Sequence, residues 1–123
     1  MIQFKLDPKT GSPFYRQIID QIKFGIATGN LKTGEQLPTV RSLAVDLRVN
    51  LNTVAKAYKE LEIQSILETH QGTGTFISGD VRIQLPVKER QNKLKEICNE
   101  FSSIAFSYGF SIDDIINQLK KQK

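Results

Sequence analysis

Asn52, Lys56 and Lys59 recur at i, i+4 and i+7, the spacing that sets side chains on one face of a helix. Their types suit recognition rather than bond making. An asparagine amide offers a donor and an acceptor side by side and can pair with an adenine edge. A lysine ammonium can reach a guanine edge or a phosphate oxygen. Groups for catalysis or metal binding are missing. His70 and Cys98 are the single histidine and the single cysteine, too few for a four-ligand zinc site or an intrachain disulfide. No nucleophile stands at a recognisable spacing from His70. Asp113 and Asp114 are neighbours at the start of a predicted helix, where acids favour the dipole rather than form an acid/base pair. No enzyme, cofactor or metal is therefore expected.

The elements that must present this face are legible in the apolar spacing. Val54, Ala57, Tyr58 and Leu61 form an inner stripe opposite Asn52, Lys56 and Lys59, with Asn50 suited to the N-cap. Just upstream, Val40, Leu43, Ala44 and Leu47 repeat the stripe behind a Thr39 cap, and Arg48-Val49-Asn50 breaks it. Two short helices across a tight turn make a helix-turn-helix, whose second helix enters the major groove N-terminus first. Arg41, in the first turn of the bracing helix and off its stripe, is either a phosphate contact or an ordinary surface arginine.

After Ser65 the period becomes strand-like. Ile66 to His70 and Thr75 to Ser78 flank Gln71-Gly72-Thr73-Gly74, which predicts a hairpin wing. Gly72 permits a tight turn and close backbone approach, and Gln71 and Thr73 can donate to phosphate or minor-groove acceptors. Gly74 reads as a residue that makes the hairpin possible. The run lacks the Gly-Lys-Ser/Thr ending of a nucleotide loop and opens no helix. Before these elements, Ile2, Phe4 and Leu6 predict a short strand. Tyr15, Ile18, Ile19, Ile22 and Ile26 predict a helix capped at Ser12 with Pro13 first, stopped by Gly29. Asn30 to Pro38 reads as loop.

The chain beyond the wing separates into a linker over 79–86 and a helical segment over 87–123. There Leu94, Ile97, Cys98, Phe101, Ile104, Ala105 and Tyr108 keep heptad positions, Gly109 ends the helix, and Ser111 caps a last one with Ile112, Ile115, Ile116 and Leu119 on a face. So short an appendage can hardly bury such faces alone. Leu94, Ile97, Phe101, Ile104 and Tyr108 are therefore expected to form a homodimer interface rather than pack on their own domain. The aromatics Phe101, Phe106, Tyr108 and Phe110 read as core packing first and as the lining of a ligand cleft second. A small-molecule effector of unknown identity has a place only between protomers.

Charge adds little. The chain of 123 residues carries a formal +4, but residues 1–80 hold nine basic and eight acidic side chains against eight and five in 81–123. The excess thus lies away from the recognition helix, and the case for a double-stranded DNA partner rests on individual positions. No run approaches the roughly 18 apolar residues of a membrane span, and the first residues lack the pattern of a signal peptide, so a cytoplasmic protein with no membrane partner is expected. Two other functions compete with DNA binding. A protein–protein adaptor on the same scaffold fits the near-neutral first 80 residues; an enzyme fits nothing.

Leu37-Pro38-Thr39-Val40-Arg41-Ser42-Leu43-Ala44, Val49-Asn50-Leu51-Asn52-Thr53-Val54-Ala55-Lys56-Ala57-Tyr58 and Gly72-Thr73-Gly74-Thr75-Phe76-Ile77 resemble the N-terminal domain of GntR-family transcription regulators. The Asn-x-Asn-Thr-Val-x-Lys-Ala-Tyr run and the short tail look like the YtrA subfamily. The resemblance implies a homodimeric repressor on a palindromic operator, often of a transporter operon. It implies Arg41, Asn52, Thr53, Lys56 and the Gln71-Gly72 wing tip as DNA contacts. Many members carry arginines at the positions of Leu51 and Ala55, so base readout there is not inherited. Arg48 stands where glycine is common, at a cost of about 1 kcal/mol if the backbone is left-handed, and Gln64-Ser65 replaces a stretch that often ends in glycine. The expected fold is mainly α with a small β-hairpin: a winged helix-turn-helix over 1–78 and a short C-terminal two-helix dimerisation segment.

Overall fold

Ile18, Ile19 and Ile22 are wholly buried on one side of α1 (Phe14–Ala27), as their spacing demands. The helix begins one residue later than expected: Pro13 occupies the cap and no side chain caps it. Thr28 closes it, its hydroxyl donating to the Phe24 carbonyl at 2.8 Å. The computed structural model describes residues 2–79 and 87–123, so the linker expected over 79–86 lies, apart from Gly79, outside the described residues.

The strand predicted from Ile2, Phe4 and Leu6 does not form. Phe4 is buried, and Ile2 and Leu6 pack against the same core, so the alternation reflects burial rather than sheet pairing. The backbone there finds its partners on α1. Lys5 N–H donates to Gln21 Oε1 at 3.0 Å and Asp7 N–H to Gln17 Oε1 at 2.8 Å, while Gln17 Nε2 donates back to the Asp7 carbonyl. Two glutamine amides, one helical turn apart, do for this segment what a neighbouring strand would do.

α2 (Val40–Leu47) starts at Thr39, whose Oγ1 accepts from Ser42 N–H at 3.0 Å. α3 (Leu51–Ile63) starts at Asn50, whose Oδ1 accepts from Asn52 N–H at 2.8 Å. Both caps are those the sequence predicts. Between the helices Arg48 is left-handed, φ 57° and ψ 46°, which lets Val49 N–H return to the Ala44 carbonyl. Ser65 does the same after α3, with φ 62° and Ile66 N–H returning to Leu61. At both positions where glycine would be at ease, this chain keeps the turn and accepts strain of about 1 kcal/mol.

The wing is a hairpin of β2 (Leu67–His70) and β3 (Gly74–Ile77), with Leu67 opposite Ile77 and His70 opposite Gly74. A third strand, β1 (Gln36–Leu37), joins the other edge of β3 and gives the antiparallel order β1-β3-β2. The reading of Asn30–Pro38 as plain loop is thus corrected. Two residues are too few to show alternation, and their partner lies far along the chain. Leu37, Leu43, Val54, Leu61, Leu67 and Ile77 join the α1 isoleucines in one buried core. Tyr58, also buried, donates its hydroxyl to the Pro38 carbonyl at 2.7 Å. That bond ties α3 to the residue before the α2 cap, and burial pushes the phenol's ionisation far above its ordinary range.

The chain divides into two compact units, Met1–Gln84 and Leu85–Lys123. The second holds α4 (Val87–Ser107) and α5 (Ile112–Lys121). Gly109 turns the chain with φ 87°, and Ser111 opens α5 with a capping box. Its hydroxyl accepts from Asp114 N–H, and its own N–H donates to Asp114 Oδ2. Among the described side chains of this unit none is buried. Cys98, Phe101, Ser102 and Ala105 of α4 and Ile115 of α5 are half-buried, whereas Leu94, Ile97, Ile104, Ile112, Ile116 and Leu119 are exposed. The heptad therefore splits: one flank of α4 turns inward and another stays open.

Candidate nucleic-acid interface

The geometry of α3 is set by its buried side. Val54, Ala57, Tyr58 and Leu61 are all at or near zero exposure, which leaves Asn52, Lys56 and Lys59 exposed on the far face. Asn52 sits in the first turn, its own N–H taken by the Asn50 cap and its side chain in solvent. Thr53 is half-buried beside it. Leu51, at the first helical position, is 42% exposed, and Ala55 is half-buried. The face thus carries amide, methyl and ammonium groups and no guanidinium. Arg41 is exposed in the first turn of α2. Among the described residues, no carboxylate pairs with Arg41, Lys56 or Lys59, so their charges are free for an anion.

The wing tip is built for close approach. Gln71, Gly72 and Thr73 are exposed, and Thr73 N–H donates to the His70 carbonyl at 2.9 Å. Gly72 takes φ 81° with open space around it, so its glycine serves the backbone conformation alone. Gly74 is different. It takes φ 137°, and a Cβ there would meet the end of the Gln36 side chain, whose amide crosses the strand to donate to the Thr73 carbonyl at 3.1 Å. Gln36 is therefore a brace of the wing that sequence reasoning missed, since a polar residue in an apparent loop gives no signal. On the outer strand His70 Nε2 lies 3.4 Å from Glu68 Oε2 and its ring meets Phe76 edge-on, which is a surface role.

The place of Tyr15 between two cations is also not legible in its spacing. Its place in the apolar stripe of α1 predicts packing, and it does lie against the core. Yet Lys56 Nζ stands 4.0 Å from the centre of its ring, and the Arg16 guanidinium carbon 5.6 Å from the same centre. The start of α1 thus borders the exposed face of α3. For the tail, Leu94, Ile97, Ile104 and Tyr108 are exposed and Phe101 is half-buried. Core packing, the first reading of the tail aromatics, is not the arrangement of Phe106, Tyr108 and Phe110, which are 49–78% exposed. A helix-loop-helix has too little interior to hold them. A shallow depression beside them is lined by Ala105, Phe110, Ile115 and Lys121. Among the described residues no helix is long and apolar enough to cross a membrane, and no three potential metal ligands cluster.

Known proteins share this arrangement. The family described as bacterial regulatory proteins, gntR family, matches residues 14–77. The HTH-type transcriptional repressor YtrA of Bacillus subtilis (strain 168) is 39% identical over 121 residues, spanning 98% of this chain and 91% of that protein. The structure of YtrA from Sulfolobus acidocaldarius, a GntR-family transcription factor, superposes with a TM-score of 0.56 at 32% identity, over 96% of this chain and 94% of that one. The DNA-binding domain of AraR, crystallised in complex with operator ORX1, matches with a TM-score of 0.51 at 28% identity, over 63% of this chain and 93% of that one. A winged helix-turn-helix with an exposed polar face on α3, matched by the family model over residues 14–77 and by a relative over nearly its whole length, leaves one conclusion: this chain belongs to the GntR family, as a DNA-binding transcription regulator and not an enzyme.

Proposed function

We propose that the protein is a homodimeric repressor that binds a palindromic operator, with α3 in the major groove and the wing tip on the adjoining backbone or minor groove. The observation that carries the DNA face is the exposed, unpaired line of Asn52, Lys56 and Lys59 opposite a fully buried stripe. Asn52, nearest the helix N-terminus, is suited to a base edge, with Thr53 beside it. Arg41, Lys59 and the Gln71-Gly72-Thr73 tip are suited to phosphate and groove edge. Repression and a full-length likeness go together in the Bacillus YtrA, and operator binding by this fold in AraR. The transporter link follows from the resemblance to the YtrA subfamily alone.

Dimerisation is supported by the tail, Leu85–Lys123. Its exposed Leu94, Ile97, Ile104, Ile116 and Leu119 form faces that one copy leaves in water, and with Phe101 and Tyr108 they suit a second copy. Each large aliphatic side chain so buried contributes about 1.5–3 kcal/mol. Two-fold symmetry then matches half-sites about one DNA turn apart. The depression beside Phe110 is open on the tail's surface, and no effector is assigned to it.

The test begins with duplexes selected from a random pool by the wild-type protein. They are expected to be palindromic, with affinity falling steeply as salt rises. Asn52→Ala should cost about 1–3 kcal/mol and relax the preference at one base pair per half-site without changing the salt slope. Lys59→Ala should weaken all duplexes alike and reduce the slope by about one. Failure to enrich any sequence, or salt-insensitive binding, sinks the DNA reading; enrichment of single half-sites sinks the dimer.

A further inference from the structure

We propose that Tyr15 is a positioning residue of the DNA interface: its ring holds the Lys56 ammonium on the α1 side of α3 and, with Arg16, makes a phosphate clamp there. The inference rests on the reading of α3 as the DNA helix and extends the contact surface to a helix that reading leaves out.

The geometry is specific. Lys56 Nζ is 4.0 Å from the Tyr15 ring centre, well inside the roughly 6 Å over which an aromatic face attracts a cation. Tyr15 is itself anchored, half-buried against the core of α1, so the ring is a fixed platform rather than a swinging one. A free lysine on an exposed helix samples many rotamers, and ordering it on binding carries an entropic cost. Stacking on Tyr15 removes part of that cost beforehand. It also holds the ammonium over a ring carried by α1, the helix packed beside α3. There a phosphate at the groove edge is the natural ligand, and a base edge is not.

Arg16 supplies the second half. Its guanidinium carbon is 5.6 Å from the same ring centre, so the two cations stay within about 10 Å of each other, the distance over which like charges still interact at 0.1 M salt. Among the described residues neither is paired with a carboxylate. Two positive groups held near one ring without a counter-charge raise the local potential, and a phosphate relieves it. The absence of charge at Leu51 and Ala55 makes this clamp a larger share of the positive surface bordering α3.

The experiment is a double-mutant cycle read as affinity for a duplex selected by the wild-type protein, across a salt series. Tyr15→Leu is expected to weaken binding by 5-fold or more. Tyr15→Phe, which keeps the aromatic face, should stay within 2-fold of wild type. Lys56→Ala and Arg16→Ala should each weaken selected and unrelated duplexes alike and lower the salt slope by about one. In the Lys56→Ala background, Tyr15→Leu should add less than 2-fold. A Tyr15→Leu protein that binds as wild type overturns the proposal and leaves α3 as the DNA helix. So does a Tyr15→Leu loss that is as large in the Lys56→Ala background as with Lys56 in place. If Lys56→Ala has no effect at all, the clamp is overturned together with that part of the DNA reading. Thermal unfolding of Tyr15→Leu and Tyr15→Phe separates a folding defect from a loss of positioning, since a defect in folding persists unchanged when Lys56 is absent.

Discussion

The two units of this chain make opposite use of the same device, an amphipathic helix. In Met1–Gln84, α1 and α3 find apolar partners within the chain, and Ile18, Ile19, Ile22, Val54 and Leu61 are at zero exposure. In Leu85–Lys123, α5 is more sharply two-faced, yet Ile112, Ile116 and Leu119 are 43–55% exposed and none of its residues is buried. The stripe alone does not say what covers it. Three helices and a sheet enclose a core; a helix pair has too little interior to do so. An uncovered apolar face is a demand for a partner, whereas the uncovered face of α3 carries the polar line Asn52, Lys56 and Lys59 between Leu51 and Ile63, which are exposed at the two ends of the helix.

Four experiments break or sharpen this contrast. The largest effect is expected for Leu61→Ala, which removes a wholly buried side chain and should cost about 3 kcal/mol of stability in denaturant unfolding. Ile116→Ala should cost far less in a protein diluted to monomer. Equal losses would erase the distinction between a closed core and an open face. Next, the double variant Ile97→Asp, Ile104→Asp should sediment as a monomer and lose about 100-fold in operator affinity as the two half-sites uncouple, with the melting of the first unit unchanged. A dimer that survives both charges places the interface elsewhere.

A smaller effect runs in the other direction. Arg48→Gly relieves a left-handed residue at φ 57° and should stabilise the first unit by about 1 kcal/mol, visible as a melting temperature raised by a few degrees. The smallest concerns α5. The Ser111 backbone N–H, followed by the Ser111 hydroxyl, holds the Asp114 carboxyl below its ordinary 3.8. A depressed value means that the cap's contribution is present above the ordinary pKa and is lost as pH falls through the folded one. Helicity of a peptide spanning 109–123 should therefore drop below about pH 4, and Asp114→Asn should shrink that step to what Asp113 contributes through the helix dipole. A pH-independent signal would show that the box does not form in water.

Much of the site can be read from residue spacing. Thr39 and Asn50 cap as their side chains dictate, and the stripe of Val54, Ala57, Tyr58 and Leu61 fixes which way Asn52, Lys56 and Lys59 point. The left-handed turn at Arg48 is foreshadowed by a glycine position and occurs without the glycine. Other features are illegible for definable reasons. The Ile2-Phe4-Leu6 alternation reports burial on one side, and a strand and an extended segment laid on a helix have the same period. Gln36 and Leu37 are too short a strand to announce themselves. Tyr15 shows the packing signal of any α1 core residue, and nothing local tells that a lysine from another helix will rest on its ring.

Sequence by itself therefore determined the local facts: which residues cap, which face each helix buries, where the hairpin turns, and the family that those motifs spell. These depend on neighbours within one or two turns, where side-chain chemistry and backbone geometry act directly. Tertiary structure decided the facts between elements. It placed the amide of Gln36 across the wing, on the Thr73 carbonyl beside Gly74. It brought Tyr15 beneath Lys56. And it left the tail's apolar faces open while closing those of the first unit. Each of these depends on contacts between residues distant in the chain, and their energies are set by which surfaces meet, a quantity that no local spacing encodes.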